Sequence, residues 1–395
     1  MVLANPRGVT RDVALVSVAI FLLDASHSAV IPLFPGFAQG IGASLSMLGS
    51  YDSVSAVFML LLAIPLGRLS DRLGRKRMII PGTLLFTLVP LSYILASSPI
   101  HLYPVRLGLS LGVGLIFGNG FLLMSEVAEP GFRNTAQGVY MVSMGLGFTL
   151  GPLIGGFTAK LYGAQTSLII SAAFAVAGLL SLCPVRERRE ERRGPERKAP
   201  RLRELLADTR ILASGVANYV NSLMYIAVTL FFPVYGANIG FDEAEVGIGL
   251  TSRGLASTLV RLPVGALTRR VRALNMMLLG LAFSAATIYS VSSAATLALV
   301  TVLMGLQGVA YGVYLTSGNV YVSEEAPKEQ RGTAMAVYSM FGSVSGIVNP
   351  LLLGVIAEGL GGRGAMQFAS GFTLIGIAAV YVLARREDLR PENRG

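Results

Sequence analysis

Two residues with acid–base chemistry stand close together in an apolar run near the start of the chain. Asp24 precedes His27 by three residues, about one turn of a helix. A carboxylate in such a setting is costly when charged, so proton uptake and release is the chemistry that we expect. Arg106, in a later apolar run, is the other candidate partner of the carboxylate. We predict that Asp24, His27 and Arg106 couple the protein to protons; a purely structural ion pair or hydrogen bond is the alternative.

A second group of polar side chains lies in later apolar runs, where they could contact a bound molecule. They are amides, phenols and one guanidinium: Asn221, Tyr225, Arg253, Gln307 and Tyr311. The last two are followed by Tyr314 and Ser317, at spacings that keep all four roughly on one helical face. Such groups among apolar walls suit an amphiphilic pocket, although hydrogen bonding between helices would explain them equally well. For Arg253 and for Asp52, which also lies inside an apolar run, structure and function stay open.

A charged cluster framed by glycines follows the second apolar run. Its members are Gly67, Asp71, Arg72, Gly74, Arg75 and Lys76, and a weakened copy at residues 265–270 has Arg269 in place of the aspartate. Charges of both signs in a short loop can pair across helix ends, and a carboxylate is stabilised at a helix N-terminus. We predict that the cluster pairs charges across the ends of helices. Simple membrane anchoring would explain the bases but not the acid or the glycines.

Small residues recur along another apolar run. They are Gly147, Gly151, Gly155 and Gly156, with Pro152 set among them. Small side chains allow helices to pack closely, and proline weakens a helix locally. The run predicts a bending or sliding element; static helix packing is the alternative.

These side chains need apolar helices to hold them. Hydrophobic residues make up 53% of the 395-residue chain and charged residues only 14%, against roughly a quarter in soluble domains. Windows of about 20 apolar residues can cross a bilayer, where the backbone must bond within a helix. We predict an all-α polytopic membrane protein with twelve spans. Their approximate bounds are 12–33, 46–66, 79–97, 102–125, 136–158, 165–185, 211–233, 245–267, 274–292, 296–322, 334–357 and 365–384.

The basic residues predict the orientation. With both termini cytoplasmic, 27 of the 32 lysines and arginines fall in inner segments, and only Lys160 and Arg363 fall in outer loops. By the positive-inside rule, we expect an integral protein of a prokaryotic cytoplasmic (inner) membrane with cytoplasmic termini. The net charge of +10 then reflects orientation rather than nucleic-acid binding, for which the sequence has no motif.

The chain contains two copies of one plan, 198 residues apart. This offset pairs Phe34-Pro35 with Phe232-Pro233, Gly42 with Gly240, Gly67 with Gly265, Glu126 with Glu324, Arg133 with Arg331, Tyr140 with Tyr338 and Pro152 with Pro350. We predict a six-helix bundle over 1–185, a charged cytoplasmic linker over 186–210 and a second six-helix bundle over 211–395. Parallel repeats of this kind imply a pseudo-two-fold axis along the membrane normal, with a substrate site between the bundles near the midplane.

On these residues the chain resembles the major facilitator superfamily, over about 12 to 385. Residues 67–76 fit that family's loop signature G-x-L-[SA]-D-R-x-G-R-[KR], and residues 147–156 fit the pattern G-x-x-x-G-P-x-x-G-G, which the family associates with antiporters of the twelve-span drug:proton (multidrug efflux) type. Arg106 is similar to the arginine of the family's R-x-x-Q-G element, with Leu109 and Ser110 replacing the glutamine and glycine. The resemblance implies that the glycine-framed cluster of Gly67, Asp71, Arg72, Gly74, Arg75 and Lys76 forms a conformational latch. In it, Asp71 helps to hold the bundles together on the cytoplasmic side, near the start of the eleventh span.

These features together predict a secondary active transporter, a proton-coupled antiporter that exports a small amphiphilic drug, dye or metabolite by alternating access. The alternative is an importer or facilitator of a sugar, nucleoside or organic anion, with Arg106 and Arg253 as ligands. An enzyme is not expected, because the two histidines, His27 and His101, lack a nucleophile context. We expect no catalytic residue, metal or cofactor, with the proton gradient as the energy source. The expected partners are the substrate, protons and membrane lipid, without nucleotide or nucleic acid, and we expect a monomer.

Overall fold

The structure, a computed structural model, describes residues 11–187, 208–327 and 330–386, and of Arg386 only the backbone. Helices make up almost all of this part of the chain, which contains no strand. They are α1 (Arg11–Ala29), α2 (Phe34–Gly40), α3 (Leu45–Leu73), α4 (Arg75–Leu95), α5 (Leu102–Val127), α6 (Arg133–Tyr162), α7 (Ala164–Leu182), α8 (Thr209–Ile226), α9 (Phe232–Asn238), α10 (Glu243–Leu267), α11 (Ala273–Val291), α12 (Leu297–Glu325) and α13 (Arg331–Arg386). The predicted all-α fold is confirmed. Most of the predicted linker and both termini lie outside the described residues.

The helices account for the twelve predicted spans. The helix pairs α1–α2 and α8–α9 each form one interrupted span, the second joined by a π-helical segment at Ala227–Phe231. Helix α13 holds two spans, because Gly361 breaks it with a φ of 68° and a ψ of 179°. Ten stretches of the described residues are long and apolar enough to cross a membrane. Helix α10 is not among them, since Arg253 and Arg261 lower its hydropathy.

The repeat extends from the sequence into the backbone. Helices α2 and α9 begin and end at positions 198 residues apart, each with a proline in its first turn. Gly42 and Gly240 follow them with φ values of 91° and 88°, a conformation that glycine adopts at little cost. Gly163 and Gly361, a pair that the sequence analysis did not use, also stand 198 residues apart and have positive φ.

Contacts divide the chain into two compact units. The first contains the described residues of Met1–Ala43, Val54–Arg193 and Phe241–Thr251, and the second those of Ser44–Ser53, Gly194–Gly240 and Ser252–Gly395. The beginning of α3 thus belongs to the second unit and the beginning of α10 to the first, at places related by the repeat. The predicted domain boundaries at 185 and 211 stay a prediction.

Each unit has its own apolar core. In the first, Ile20 and Leu23 of α1 pack with Phe86 and their neighbours. In the second, Met277 and Tyr314 lie at the centre of a similar cluster. Many large apolar side chains elsewhere on the helices remain exposed, as expected where helices face lipid rather than water. The two cores hold the polar side chains described below inside the helical units.

Candidate functional site

Asp24 of the acid–base pair on α1 is deeply buried in the first unit, whereas His27 is partly exposed. Only 4% of Asp24 is exposed, and its Oδ1 lies 4.0 Å from Nδ1 of His27. This distance is too long for a hydrogen bond. Among the described residues, neither Oδ2 of Asp24 nor Nδ1 of His27 has a hydrogen-bond partner. The His27 ring stacks on Phe86 of α4, with ring centroids 5.8 Å apart. The pair therefore keeps proton-binding atoms that the fold does not use.

Arg106 lies near the start of α5, with its guanidinium carbon 4.2 Å from the centre of the Phe34 ring. It is close enough to His27 for its charge to act on the imidazole. Of the two partners predicted for Asp24, His27 is the one that the structure places beside the carboxylate. Arg106 therefore sits at the edge of the pair rather than directly against the acid.

The glycines of α6 contact α1 directly. Gly147, Gly151 and Gly155 are called the glycine seat below. A Cβ added at Gly147 would lie 2.5 Å from the Phe21 carbonyl oxygen and 2.9 Å from Cβ of Asp24. A Cβ at Gly151 would collide with the Ser28 hydroxyl, whose oxygen donates a 3.0 Å hydrogen bond to the Gly147 carbonyl. Gly155 is packed in the same way against the α1 backbone. Backbone therefore meets backbone directly beside the buried acid, as small residues permit.

The opposite side of α6 packs against the first turns of α10, still within the first unit. A Cβ at Gly156 would overlap the Glu243 carbonyl, and one at Gly247 would overlap the carbonyl of Pro152. Further along, the Thr251 hydroxyl donates to the Thr149 carbonyl at 2.9 Å. Two helices thus lie against the same glycine-rich segment, one on each side of it.

An ion pair closes this contact at the helix ends. Lys160 Nζ lies 2.7 Å from Oδ2 of Asp242, and Oδ1 of the same carboxylate accepts a 2.9 Å hydrogen bond from the Glu245 amide and so caps α10. Partial burial tends to raise the pKa of Asp242, but the hydrogen bonds from Lys160 and from the Glu245 and Ala244 amides outweigh it, and the net pKa lies below its usual value.

Four of the five predicted substrate-binding residues come together in the second unit. Arg253 of α10 is 3% exposed, and its guanidinium carbon lies 4.5 Å from the centre of the Tyr311 ring and 5.4 Å from that of Tyr225. Its Nε donates a hydrogen bond to Oε1 of Gln307. These residues are called the Arg253 cluster below. In the described part of the chain its Nη2 has no hydrogen-bond partner, and no carboxylate pairs with the guanidinium.

Further groups fix the Arg253 cluster in place. Gln307 donates from Nε2 to the Ser284 hydroxyl at 3.1 Å, and both side chains are almost wholly buried. Gly308 lies against the Arg253 backbone so closely that a Cβ there would overlap its carbonyl oxygen. The sequence analysis missed Ser284, because neither its type nor its spacing distinguishes it from other helix serines.

The other polar residues of α8 and α12 serve different contacts. Asn221 is buried on α8, and the described contacts do not join it to the Arg253 cluster. Asn218 donates to the Tyr338 carbonyl at 2.9 Å, and the Tyr314 and Tyr338 hydroxyls lie 3.1 Å apart. Ser317 bonds only within its own helix among the described residues. Asn218 and Tyr314 thus join their helices to α13, the alternative that the sequence left open.

Arg75 is the centre of the glycine-framed charged cluster. Its Nη2 donates to Asp71 at 2.7 Å, its Nη1 donates to the Ser70 hydroxyl, and its Nε lies 3.6 Å from Glu126. Ser70 in turn donates to Asn119 of α5. Arg75 is itself buried, whereas Gly67 and Arg72 are exposed in the last turns of α3. These contacts lie within the first unit, and the latch stays a prediction.

The same cluster also contacts the segment that follows α7. Lys76 Nζ donates to the carbonyls of Cys183 and Val185 at 2.7 and 2.8 Å, where a cation is favourable at a helix C-terminus. The Glu187 carboxylate accepts from the Arg75 amide and so caps α4. Gly74 has a φ of 98°, and a Cβ there would lie 2.7 Å from Glu187. The sequence analysis missed Glu187, which lies more than a hundred residues away along the chain.

Similarity to known families agrees with this geometry. The model of the Major Facilitator Superfamily matches the chain twice, over residues 16–236 and 215–395. The chain belongs to the major facilitator superfamily. Members of this superfamily are transporters, so the prediction of a transporter rather than an enzyme is confirmed. The predicted resemblance to its drug:proton antiporters is also supported by the relatives below.

Several superfamily members are similar over nearly their whole length. The chain is 28% identical over 375 residues to the 3-(3-hydroxy-phenyl)propionate transporter of Escherichia coli, covering 90% of this chain and 89% of that protein. It is 24% identical to the multi-drug resistance efflux pump PmrA homolog of Lactococcus lactis, covering 95% of each. A crystal structure of a bacterial homolog of the human lysosomal transporter Spinster, in an inward-facing and occupied conformation, aligns with a TM-score of 0.79 at 14% identity, covering 94% of this chain and 96% of that one.

Proposed function

We propose that this superfamily member is a proton-coupled antiporter that exports a small amphiphilic compound in exchange for protons. The observation that carries the proposal is the burial of Asp24 beside His27, with proton-binding atoms unpartnered among the described residues. A buried carboxylate is costly when charged and far less costly when protonated. Asp24 can therefore take up a proton where it faces the outer solution and lose it where it faces the cytoplasm.

The glycine seat of α6 supplies the movement that this cycle needs. Gly147 and Gly151 contact α1 through backbone atoms next to Asp24. Small residues hold the helices together without interdigitating side chains, so a small displacement of α1 meets few steric barriers. Such a displacement would change the exposure of Asp24, and with it the protonation of the carboxylate. The proton gradient would be the only energy source, without a cofactor.

Export is supported by the relatives as well as by the α6 pattern. The similar protein of Lactococcus lactis is named a multi-drug resistance efflux pump, and Multidrug resistance protein 1 of Bacillus subtilis is 23% identical over 366 residues. Drug efflux requires an outward substrate flux, which inward proton flow can drive. We further propose a prokaryotic inner-membrane location with cytoplasmic termini and a latch role for Asp71 and its loop.

Purified protein in proteoliposomes tests the proposal. Cationic, neutral and anionic amphiphiles are added in turn while a pH-sensitive dye follows protons in the lumen. We expect substrate movement opposite to proton movement in the wild type, and none coupled to protons in Asp24→Asn. Glu129→Gln is the matched control, because Glu129 is an exposed acid in a loop. Equilibrative uptake of an anion or sugar without proton movement would contradict antiport.

A further inference from the structure

Arg253 is a buried cation that the fold leaves without an anionic partner. It is 3% exposed, and no carboxylate of the described residues pairs with it. A buried guanidinium is unfavourable unless an anion or several hydrogen bonds compensate for the lost water. Among the described residues, the guanidinium donates one hydrogen bond, to Gln307, and lies over two tyrosine rings. Those groups are neutral, so the site lacks negative charge.

We infer that the Arg253 cluster binds the carboxylate of a small aromatic acid, which is the cargo of the transporter. The inference rests on the proposed function, since it names the chemical class of the substrate. It does not depend on the direction of transport or on proton coupling.

The guanidinium has one donor in use and, among the described residues, another without a partner. Nε is engaged by Gln307, and Nη2 has no hydrogen-bond partner in the described part of the chain. A carboxylate oxygen accepting from Nη2 would satisfy the orphaned donor and neutralise the buried charge in one step. Hydrogen bonds between a guanidinium and a carboxylate are short and charge-assisted, and the planar fork favours planar anions.

The two tyrosines indicate that the body of the ligand, beyond its carboxylate, is aromatic. The centres of the Tyr225 and Tyr311 rings are 6.1 Å apart, and the ring planes are inclined at 30°. Both residues are partly exposed, whereas Arg253 is buried. A ligand that reaches Arg253 with its carboxylate would therefore place its body against these rings. Aromatic rings pair favourably in offset or edge-to-face arrangements, so an aromatic body fits better than an aliphatic one.

The Arg253 cluster is held in its geometry before any ligand binds. Ser284 fixes Gln307, which accepts from Arg253, and Gly308 lies directly against the Arg253 backbone. Preorganised polar groups cost less to bind because their conformational entropy is already lost. A guanidinium that served only to join helices would be expected to have its donors satisfied, which Nη2 is not among the described residues.

Equilibrium binding to the purified full-length protein in detergent tests this inference without a proton gradient. The probes are 3-phenylpropionate, its neutral analogue 3-phenylpropanamide and the non-aromatic 3-cyclohexylpropionate, each measured by titration calorimetry. We expect the wild type to bind the phenyl acid at least about tenfold more tightly than the amide, and more tightly than the cyclohexyl acid. Equal affinities for acid and amide, or no measurable binding of the acid, would overturn the inference.

Variants of Arg253 test whether this residue causes the preference for the acid over the amide. Arg253→Gln should remove the preference for acid over amide, while Arg253→Lys, which keeps the charge, should retain part of it. Arg270→Gln is the matched control, because Arg270 is exposed beyond the end of α10, and it should leave both affinities within about twofold. Preference for the acid that survives in Arg253→Gln would contradict the assignment. If Arg253→Gln does not fold, Arg253→Lys and the wild-type probe ratios still decide.

The outcome is separable from that of the antiport experiment. Asp24→Asn should bind the phenyl acid as the wild type does, because Asp24 lies in the other compact unit. Retained acid binding without proton exchange would uphold the Arg253 cluster and reject antiport. Proton exchange with only neutral or cationic compounds, and no acid binding, would reject the cluster and uphold antiport.

Discussion

Helix α6 and the first half of α13 are copies of one element, yet they hold their neighbouring helices by different means. In α6, Gly147 meets the backbone carbonyl of Phe21 directly. At the corresponding position, 198 residues later, Ser345 donates a 2.9 Å hydrogen bond to the carbonyl of Tyr219, itself the counterpart of Phe21. At this position one copy therefore has direct backbone contact, beside the 3.0 Å hydrogen bond from Ser28 to the Gly147 carbonyl, and the other has a hydrogen bond from its own side chain to the same place.

The next turn repeats the difference. Gly151 packs on the Ser28 hydroxyl, whereas its counterpart Asn349 accepts from the Tyr219 hydroxyl at 2.9 Å and donates to Ser345 at 2.6 Å. Hydrogen bonds are directional and fix the position of one helix against another, whereas glycine contacts leave it less constrained. We therefore predict that the copy beside Asp24 moves more readily than the other copy, which its own side-chain hydrogen bonds hold in place.

The largest effect is expected where the glycine contact is broken. Gly151→Leu would drive its side chain into Ser28 and towards the Ala25 carbonyl oxygen, which would lie 2.7 Å from a Cβ at this position. We expect a loss of about 2–3 kcal/mol in unfolding free energy and little transport in the folded fraction. Thermal melting and proteoliposome flux measure both. Gly138→Leu is the matched control, because a Cβ at Gly138 on the same helix has no neighbour within 4 Å.

Two results would contradict this contrast. Native melting and native flux in Gly151→Leu would mean that α1 does not need the contact. An equal loss of stability and flux in Gly138→Leu would assign the loss to helix propensity rather than to the contact between α1 and the glycine seat of α6.

A smaller effect is expected from the hydrogen-bonded copy. Asn349→Ala would leave the Tyr219 hydroxyl and the buried Ser345 without this partner, at a cost of about 1–2 kcal/mol in unfolding free energy. A double-mutant cycle with Tyr219→Phe measures the coupling energy between Tyr219 and Asn349, which should be positive and about 1 kcal/mol. Coupling near zero would show that the hydrogen bond does not hold α8 and α13 together.

The smallest effect is expected from the ion pair at the helix ends. The lowered pKa of Asp242 means that its stabilising contribution is fully present above the unfolded pKa and is lost as pH falls through the folded value. Below about pH 4, the wild type should therefore lose the advantage that it has over Asp242→Asn at neutral pH. At about pH 7 we expect Asp242→Asn to lower Tm by no more than about 2 °C. A constant difference in Tm across this pH range would contradict the linkage.

The repeat explains how much of the fold was predictable. The apolar runs predicted twelve spans. Gly42 and Gly240, which the 198-residue offset pairs, have matching backbone conformations. The same offset would have found Gly163 and Gly361, because glycine identity is visible in the sequence. Helix ends were less predictable, since the π-helical segment at Ala227–Phe231 has no sequence signal of its own.

The candidate sites were predictable only where residue type restricts function. An intramembrane Arg253 or Asp24 stands out because charge is rare in hydrocarbon. The supporting residues did not stand out. Ser284, which bonds to Gln307, and Glu187, which bonds to Arg75, resemble many other residues and reach their sites only through tertiary packing. Spacing along α12 correctly grouped Gln307 with Tyr311, but it also included Tyr314, which bonds to Tyr338 instead.

The most direct test of the central claim separates proton-driven transport from substrate exchange in Asp24→Asn. Exchange of labelled for unlabelled substrate across proteoliposomes needs the moving helices but no net proton transfer. The account predicts that Asp24→Asn loses transport driven by a pH gradient while exchange continues near the wild-type rate. Retention of gradient-driven transport, or loss of exchange in a folded variant, would contradict the role of Asp24 as the proton-coupling group.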